Sequence, residues 1–258
     1  MNETISVVIP VLDDARLLER CLASLAAQTR RPDEVIVVDN GSTDDSVAVA
    51  RAFGATVVHE RRRGITAASS HGFDVARGTV IARCDADSLL PPTWVARIER
   101  SLASAPDAVA VTGPATFYDL HGVRGALARR IYVGGYFLSM RPLLGHNVLF
   151  GSNCAVRAHA WRALSASVPR DDSEIHDDMD LSYRLPPASR VILDRSLVVG
   201  ISARPFDSLT AFGRRLSRAV HTFSLHLPQQ LPHRRWTARW RSRARRSTWI
   251  PIGGEARA

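Results

Sequence analysis

Apolar residues along the first 113 positions recur in two alternating periods. Short, nearly continuous runs are ISVVIP at 5–10, EVIVVD at 34–39, ATVVHE at 55–60 and TVIARCD at 79–85. ISVVIP and EVIVVD read as strands covered on both faces, ATVVHE and TVIARCD as a third and a fourth strand. Between them apolar residues return every three or four positions. Leu17, Leu18, Cys21, Leu22 and Leu25 mark one helical face, and GITAASSHGFDVARG (64–78) reads as another helix. GSTDDSVAVARAFG (41–54) reads as a turn, a cap at Ser42 or Thr43, and a short helix ending at Gly54. Strand and helix in this rhythm give right-handed crossovers, hence an α/β, Rossmann-like, mainly parallel sheet flanked by helices.

The later pattern is less regular. A helix is predicted over about 92–104, followed by the apolar run AVAVTGP at 108–114. Residues 114–148 show helical patches rich in Gly and Arg without a clear period. LFGSNCAVRAHAW (149–161) reads as strand, Gly turn and helix start, and RVILDRSLVVGIS (190–202) as a strand pair. DDSEIHDDMDLSYRL (171–185) reads as an acidic loop running into a short helix, one aspartate capping it through Ser182. From Ser208 to Leu227, Leu209, Phe212, Leu216, Val220, Phe223 and Leu227 recur at three- and four-residue steps, the mark of an amphipathic helix. There are no internal repeats.

Composition and charge then narrow the picture. With 258 residues and 45% hydrophobic content the chain can bury a sizeable core. Its net charge of +9 is uneven: from Ala211 onward eleven arginines face one acid, and the preceding 210 residues are close to neutral. Basicity is therefore a property of the C-terminal end. Cys21, Cys84 and Cys154 lack metal-type spacing and read as free thiols of a reducing compartment. The start has no basic n-region before its apolar run, and no 18-residue window is free of charge. The expectation is a cytoplasmic protein, peripheral on the inner face of the plasma membrane.

Three acidic stretches carry the candidate chemistry. In a parallel sheet ligands sit at the carboxyl ends of strands, where Asp39 and the pair Asp85 and Asp87 fall. Two carboxylates one residue apart repel unless something positive lies between them. An arginine, a hard divalent cation such as Mg²⁺ or Mn²⁺, or only water would serve. The plainer reading has both as solvated turn residues, one capping the helix near Pro91. Asp39 precedes a tight Asn40-Gly41 turn, and a carboxylate there can accept from a base N–H or ribose hydroxyls. No Gly-x-Gly-x-x-Gly follows the first strand, which disfavours a dinucleotide site. In the third stretch His176, Asp177, Asp178 and Asp180 offer a general base, solvated acids or a second metal site.

Taken in this order, SVVIPVLDDARLLERCLASLAAQ, DEVIVVDNGSTDDS, GITAASSHGFDVARGTVIARCDADSLLPPTW, GSNCAVRAHAW and DDMDLSYRL resemble the family 2 glycosyltransferases over about residues 4–200. The resemblance implies a GT-A type fold and an inverting transfer of one sugar from a nucleotide-sugar donor, UDP- or GDP-linked, to a hydroxyl acceptor such as a lipid-linked or cell-envelope glycan. It implies that Pro10, Val11 and Asp14 line the nucleotide pocket and that Asp39 binds the base. Asp85 and Asp87 become the motif for Mn²⁺ or Mg²⁺, with Asp87 the direct ligand and Asp85 nearer the ribose. Asp178 falls on the catalytic base and Asp177 on the acid before it, while Gly151, Ser152 and Asn153 sit beside sugar and acceptor. A polyprenyl-phosphate sugar synthase, or a non-catalytic nucleotide- or nucleic-acid-binding protein that kept the fold, are the rivals.

The chain departs from the family in two places. Leu12-Asp13-Asp14 stands where Tyr-Asn-Glu is common, and Ala68-Ser69-Ser70 where Ala-Arg-Asn is common. Arg62, Arg63 and Arg83 are candidates for the missing contact. QQLPHRRW has the wrong spacing for the Gln-x-x-Arg-Trp of chain-building members, which favours single-sugar transfer.

The resulting layout is a GT-A domain over 1–206, with a nucleotide-sugar half at about 1–113 and an acceptor half at about 114–206. The amphipathic helix at 207–227 and a basic tail at 228–258 follow. Seven arginines between Arg234 and Arg246 interleave with Trp236 and Trp240, and Trp249 follows. An anionic membrane surface meeting 234–249, nucleic-acid phosphates and a solvated tail all fit that composition, nucleic acid least.

Overall fold

The structure, a computed structural model, describes residues 3–204 and 209–247. The alternating first half forms β1 (Ile5–Val11), α1 (Ala15–Ala26), β2 (Glu34–Asp39), α2 (Ser46–Ala52), β3 (Thr56–His59), α3 (Ile65–Val75), β4 (Val80–Arg83), α4 (Trp94–Ala103) and β5 (Ala108–Thr112). There follow β6 (Ala115–Phe117), α5 (Gly122–Ala128), a π-helical segment (Arg129–Gly134) and α6 (Gly135–Leu144). The remainder is β7 (Cys154–Arg157), α7 (Ala158–Leu164), α8 (Asp177–Arg184), β8 (Arg190–Leu193), β9 (Val199–Ile201), α9 (Leu209–His226) and α10 (Pro232–Ser247).

Seven strands make one sheet in the order β3-β2-β1-β4-β7-β5-β8, parallel except where β7 runs against β4 and β5. Every residue of β1 is buried, as its unbroken apolar run requires. Alternate residues serve opposite faces. Val7 and Ile9 join Leu18, Leu22 and Leu25 of α1, whereas Val8 joins Ala68 and Phe73 of α3. On the α3 face the approach is close enough that a Cβ on Gly72 would lie 2.3 Å from a methyl of Val8. The register sets Val11 beside Asp39 and Asp39 beside His59, so β1, β2 and β3 deliver their carboxyl ends to one rim.

Several local expectations are corrected. RVILDRSLVVGIS does not fold back on itself: β8 pairs with β5, and β9 pairs with β6 in a separate two-stranded sheet. In LFGSNCAVRAHAW the strand follows the Gly turn instead of preceding it. Neither Ser42 nor Thr43 caps α2, whose N-cap is Asp45: the Ser42 hydroxyl accepts from Asp13 N–H and the Thr43 hydroxyl donates to Asp13 Oδ1. Asp44, just ahead of the helix, accepts from Ser46 N–H at 2.9 Å. Ser182 caps nothing, since its hydroxyl donates to the Asp178 carbonyl and accepts from Leu149 N–H. Asp85 and Asp87 do not cap the helix near Pro91, whose N-cap is Thr93.

The C-terminal helices are seated on the core. α10 docks through Arg235, buried, which donates to the carbonyls of Leu144, Tyr183 and Leu185 at 2.7–2.9 Å and to the Gln230 side chain. Over 232–247 the solvated-tail expectation therefore gives way to a docked helix, while Trp249 lies outside the described residues. Among the described residues no helix is long and apolar enough to cross a membrane.

Candidate active site

At the rim formed by β1, β2 and β3, Asp39 is 5% exposed and both its oxygens are engaged, by Ser42 N–H at 2.9 Å and His59 Nδ1 at 3.0 Å. Burial would raise its pKa, but Ser42 and His59 outweigh burial and hold it below the usual carboxylate range. Val11 and Pro10 are buried in β1, Val11 as part of the core. The next loop is laced to the β2 turn through Asp13, whose φ of 50° is a left-handed conformation that aspartate tolerates better than most residues. Its carboxylate accepts from Thr43 N–H at 2.6 Å and its own N–H donates to Ser42 Oγ. Asn40 fixes the neighbouring loop by donating to the Glu60 and Arg62 carbonyls and accepting from Gly64 N–H. Arg62 is committed to Glu60 through its backbone N–H, Nε and Nη2.

The two aspartates after β4 are each met by an arginine. Asp85 accepts from Arg83 Nη2 at 3.0 Å and from Ser152 Oγ at 2.5 Å. Asp87 accepts from Arg204 Nη2 at 3.2 Å, and the same guanidinium holds Asp14 at 2.7 and 3.1 Å. Burial, followed by the charge of Asp85, pushes Asp87 up to about 6 despite Arg204. A carboxylate so displaced marks a place short of positive charge. Asp87 and Asp85, two hard carboxylate oxygen donors lining one pocket, suit Mn²⁺ or Mg²⁺.

Behind them the Arg83 guanidinium is buried and bridges Asp85 to Asp177, which also accepts from Ser69 Oγ at 3.3 Å. Gly151 permits this bridge, for a Cβ there would lie 3.0 Å from Arg83 Nη1. Asp178 opens α8. Its Oδ2 accepts from Gly151 N–H at 2.8 Å and its Oδ1 is 2.6 Å from His176 Nδ1. Burial opposes the charge on Asp178, yet His176, the Gly151 N–H and Arg83 hold it down at about 2. Burial lowers and Asp178 raises the His176 pKa, the latter prevailing. Ligand atoms of His176, Asp177 and Asp178 lie within 4.8 Å of one another, but the carboxylates already hold Arg83 and the Gly151 N–H.

One polar pocket of about 160 Å³ is lined by Asp85, Asp87, Gly151, Ser152, Asp177 and Asp178. Pro10, Val11, Asp14 and Asp39 lie outside its lining, along the β1–β2 rim, although Arg204 ties Asp14 to Asp87. Asn153 stands apart. Its fully buried side chain donates to the Leu197 and Pro114 carbonyls and accepts from Trp94 Nε1, anchoring the loop from behind. Sequence reasoning missed Arg204, His59 and the roles of Arg83 and His176. A charge inside the buried run VIAR was a readable signal for Arg83; Arg204, far along the chain, gave none. An arrangement of this kind can hold a diphosphate and a cation beside a carboxylate able to take a proton.

The family model described as glycosyl transferase family 2 matches residues 6–167. "Glycosyltransferase GlyG" of Streptococcus pneumoniae is 32% identical over 125 residues, 46% of this chain and 41% of that protein. A "PGL/p-HBAD biosynthesis glycosyltransferase" of Mycobacterium tuberculosis is 35% identical over 100 residues, 36% of this chain and 39% of that protein. The matched part thus spans less than half the length of these curated relatives. Among solved structures, a mannosyltransferase of Pyrobaculum calidifontis in complex with GDP-Man and Mn²⁺ superposes with a TM-score of 0.69 at 20% identity, covering 98% of this chain and 77% of that one. Glucosyl-3-phosphoglycerate synthase of M. tuberculosis, in complex with Mn²⁺, UDP and phosphoglyceric acid, gives 0.59 at 22% identity, covering 84% and 78%. These likenesses make the fold GT-A type.

Proposed function

The chain belongs to glycosyl transferase family 2, and we propose that it moves one sugar, with inversion, from a UDP- or GDP-linked donor to an acceptor hydroxyl. The observation that carries this reading is the meeting of Asp85, Asp87 and Asp178 in one polar pocket. Asp178 is ionised at neutral pH and serves as the base: its carboxylate takes the acceptor proton as the acceptor oxygen bonds to the anomeric carbon. The anomeric C–O bond to the diphosphate breaks on the opposite face, and its electron pair leaves with the nucleotide. One displacement converts an α-linked donor into a β-linked product.

The remaining residues orient. Arg83 holds Asp177 and Asp85 in place, and Asp39 receives the base or ribose through the face that His59 and Ser42 now occupy. Gly151 and Ser152 border the transferred sugar. Asp87, with Asp85, would hold Mn²⁺ or Mg²⁺, which when bound supplies Lewis-acid neutralisation of the departing diphosphate. The GDP-Man and UDP complexes of the solved relatives support a donor of this class. An acceptor met at a membrane, lipid-linked or part of an envelope glycan, is supported by the arginine and tryptophan content of the C-terminal end.

The test is a thermal-shift panel of UDP, GDP, dTDP and CDP with their sugars, each with and without Mn²⁺. The expected result is a metal-dependent rise in Tm with one nucleotide, lost in Asp87→Ala. No rise with any nucleotide would end the reading.

A further inference from the structure

The polar pocket does not stop at Asp178. A second cavity of about 550 Å³ opens beyond that carboxylate, within the range of small-molecule sites. Tyr132, Phe150, His176, Asp178 and Arg215 line both. The walls of the second cavity are of another chemistry. α5 gives Leu127, the π-helical segment gives Ile131, α8 gives Met179, and α9 gives Leu216 and Ala219. Leu127, Ile131 and Leu216 are 54%, 65% and 58% exposed, so these side chains face an opening instead of the core. Val123 on α5, Val220 on α9 and Leu138 on the neighbouring α6 are exposed apolar side chains as well.

Hydrogen-bonding groups in the groove are few and largely engaged. Tyr136 OH donates to the Leu149 carbonyl at 3.2 Å, Arg215 Nη1 donates to Tyr132 OH at 2.8 Å, and His176 Nδ1 meets Asp178. A glycan lying along this wall would leave its hydroxyls unmatched, which is costly, whereas hydrocarbon would be welcome. Asp178 itself borders the groove, so apolar wall begins where the reacting hydroxyl would sit. Among the described lining residues Arg124 and Arg215 are the fixed cations, which suits an acceptor with an anionic or neutral head over a cationic one.

We propose that the groove beside Asp178 seats the hydrocarbon body of the acceptor, a membrane-borne amphiphile whose reacting hydroxyl adjoins its apolar part with no polar glycan between them. The enzyme then adds the first sugar to a lipid instead of extending a glycan already built. This rests on the glycosyl-transfer reading above, since Asp178 supplies the acceptor end.

The test uses the full chain and a series of n-alkanols from butanol to octanol, each a hydroxyl on a growing hydrocarbon body, with binding followed by titration calorimetry. The expected result is a Kd that falls about fourfold per added methylene. Leu127→Glu and Leu216→Glu, both at exposed positions, should remove the gain while the Mn²⁺-dependent nucleotide thermal shift persists. With that shift intact, a Kd independent of chain length would overturn the groove alone. So would a series unchanged in both variants, which would place the chains elsewhere. A gain seen only after deleting residues 248–258 would assign the groove to that segment and overturn the proposal. If wild type binds alkanols but shows no nucleotide shift, the groove is a lipid site without transfer, and both the acceptor assignment and the transferase reading fall.

Discussion

Buried between Asp85 and Asp177, the Arg83 guanidinium donates to both carboxylates beside a third, Asp178, that has its own partners in His176 and the Gly151 N–H. This division lets three acids share a small space. Arg62 shows the opposite allocation. It is tied to Glu60, so its charge organises the loop before α3 and is not available as a free phosphate contact. The Arg62 hydrogen bonds lower Glu60 to about 2 against the opposing effect of burial. A carboxylate lowered in the folded state contributes stability above its unfolded value, near 4.3, and that contribution fades as pH falls through the folded value. Glu60→Gln should therefore cost about 1.5–3 kcal/mol at pH 7. The gap in Tm from wild type should narrow as pH drops from about 4.3 toward 2. A gap independent of pH over that window would show that Glu60 is not held by charge.

At the scale of elements, α10 is held by a buried cation that has no carboxylate partner among the described residues. Burial lowers Arg235 to about 10, and its N–H groups donate to backbone carbonyls of α6, α8 and the residue after α8. Arg235→Leu leaves those carbonyls unmatched and should destabilise by about 2–4 kcal/mol, with new proteolysis between α9 and α10. Unchanged Tm and cleavage would mean that the helix is held by other contacts, such as Trp236 to the Pro142 carbonyl. β1, β2 and β4 were legible because residues such as Val7, Val8, Ile9, Val37 and Val38 must be apolar on both sheet faces, whereas the edge strand β3 is only partly buried. The span 114–148 was not, because Leu127 and Ile131 face an open groove instead of a core and so obey no burial period. Short apolar runs mark β8 and β9 as strands but carry no information on partners, which is why they were expected to pair with each other. Asp85, Asp87 and Asp178 stood out as charges at strand or loop ends. Arg204 could not, since only the folded chain brings it within 3.2 Å of Asp87.

Across the whole molecule, excess charge and part of the exposed hydrocarbon fall together on the last two helices. The nearly neutral body carries the polar pocket, while the excess arginine lies in α9, α10 and beyond. Trp240 is exposed on α10 and Leu216 and Val220 on α9. Such a surface should bind vesicles containing phosphatidylserine in preference to neutral ones, and flotation should show that preference shrinking as salt shortens the screening length to about 3 Å at 1 M. Equal recovery with neutral vesicles at low salt would remove the electrostatic component. The central claim, a metal-assisted transfer run by one pocket, is tested most directly by the release of nucleoside diphosphate from UDP- and GDP-sugars with Mn²⁺, using wild type, Asp87→Ala and Asp178→Asn. The account predicts metal-dependent release by wild type from one donor class and loss of both binding and release in Asp87→Ala. Asp178→Asn should retain nucleotide binding and release the product about 10²–10⁴ times more slowly. Release by Asp178→Asn at the wild-type rate, or none from any donor by wild type, would contradict it.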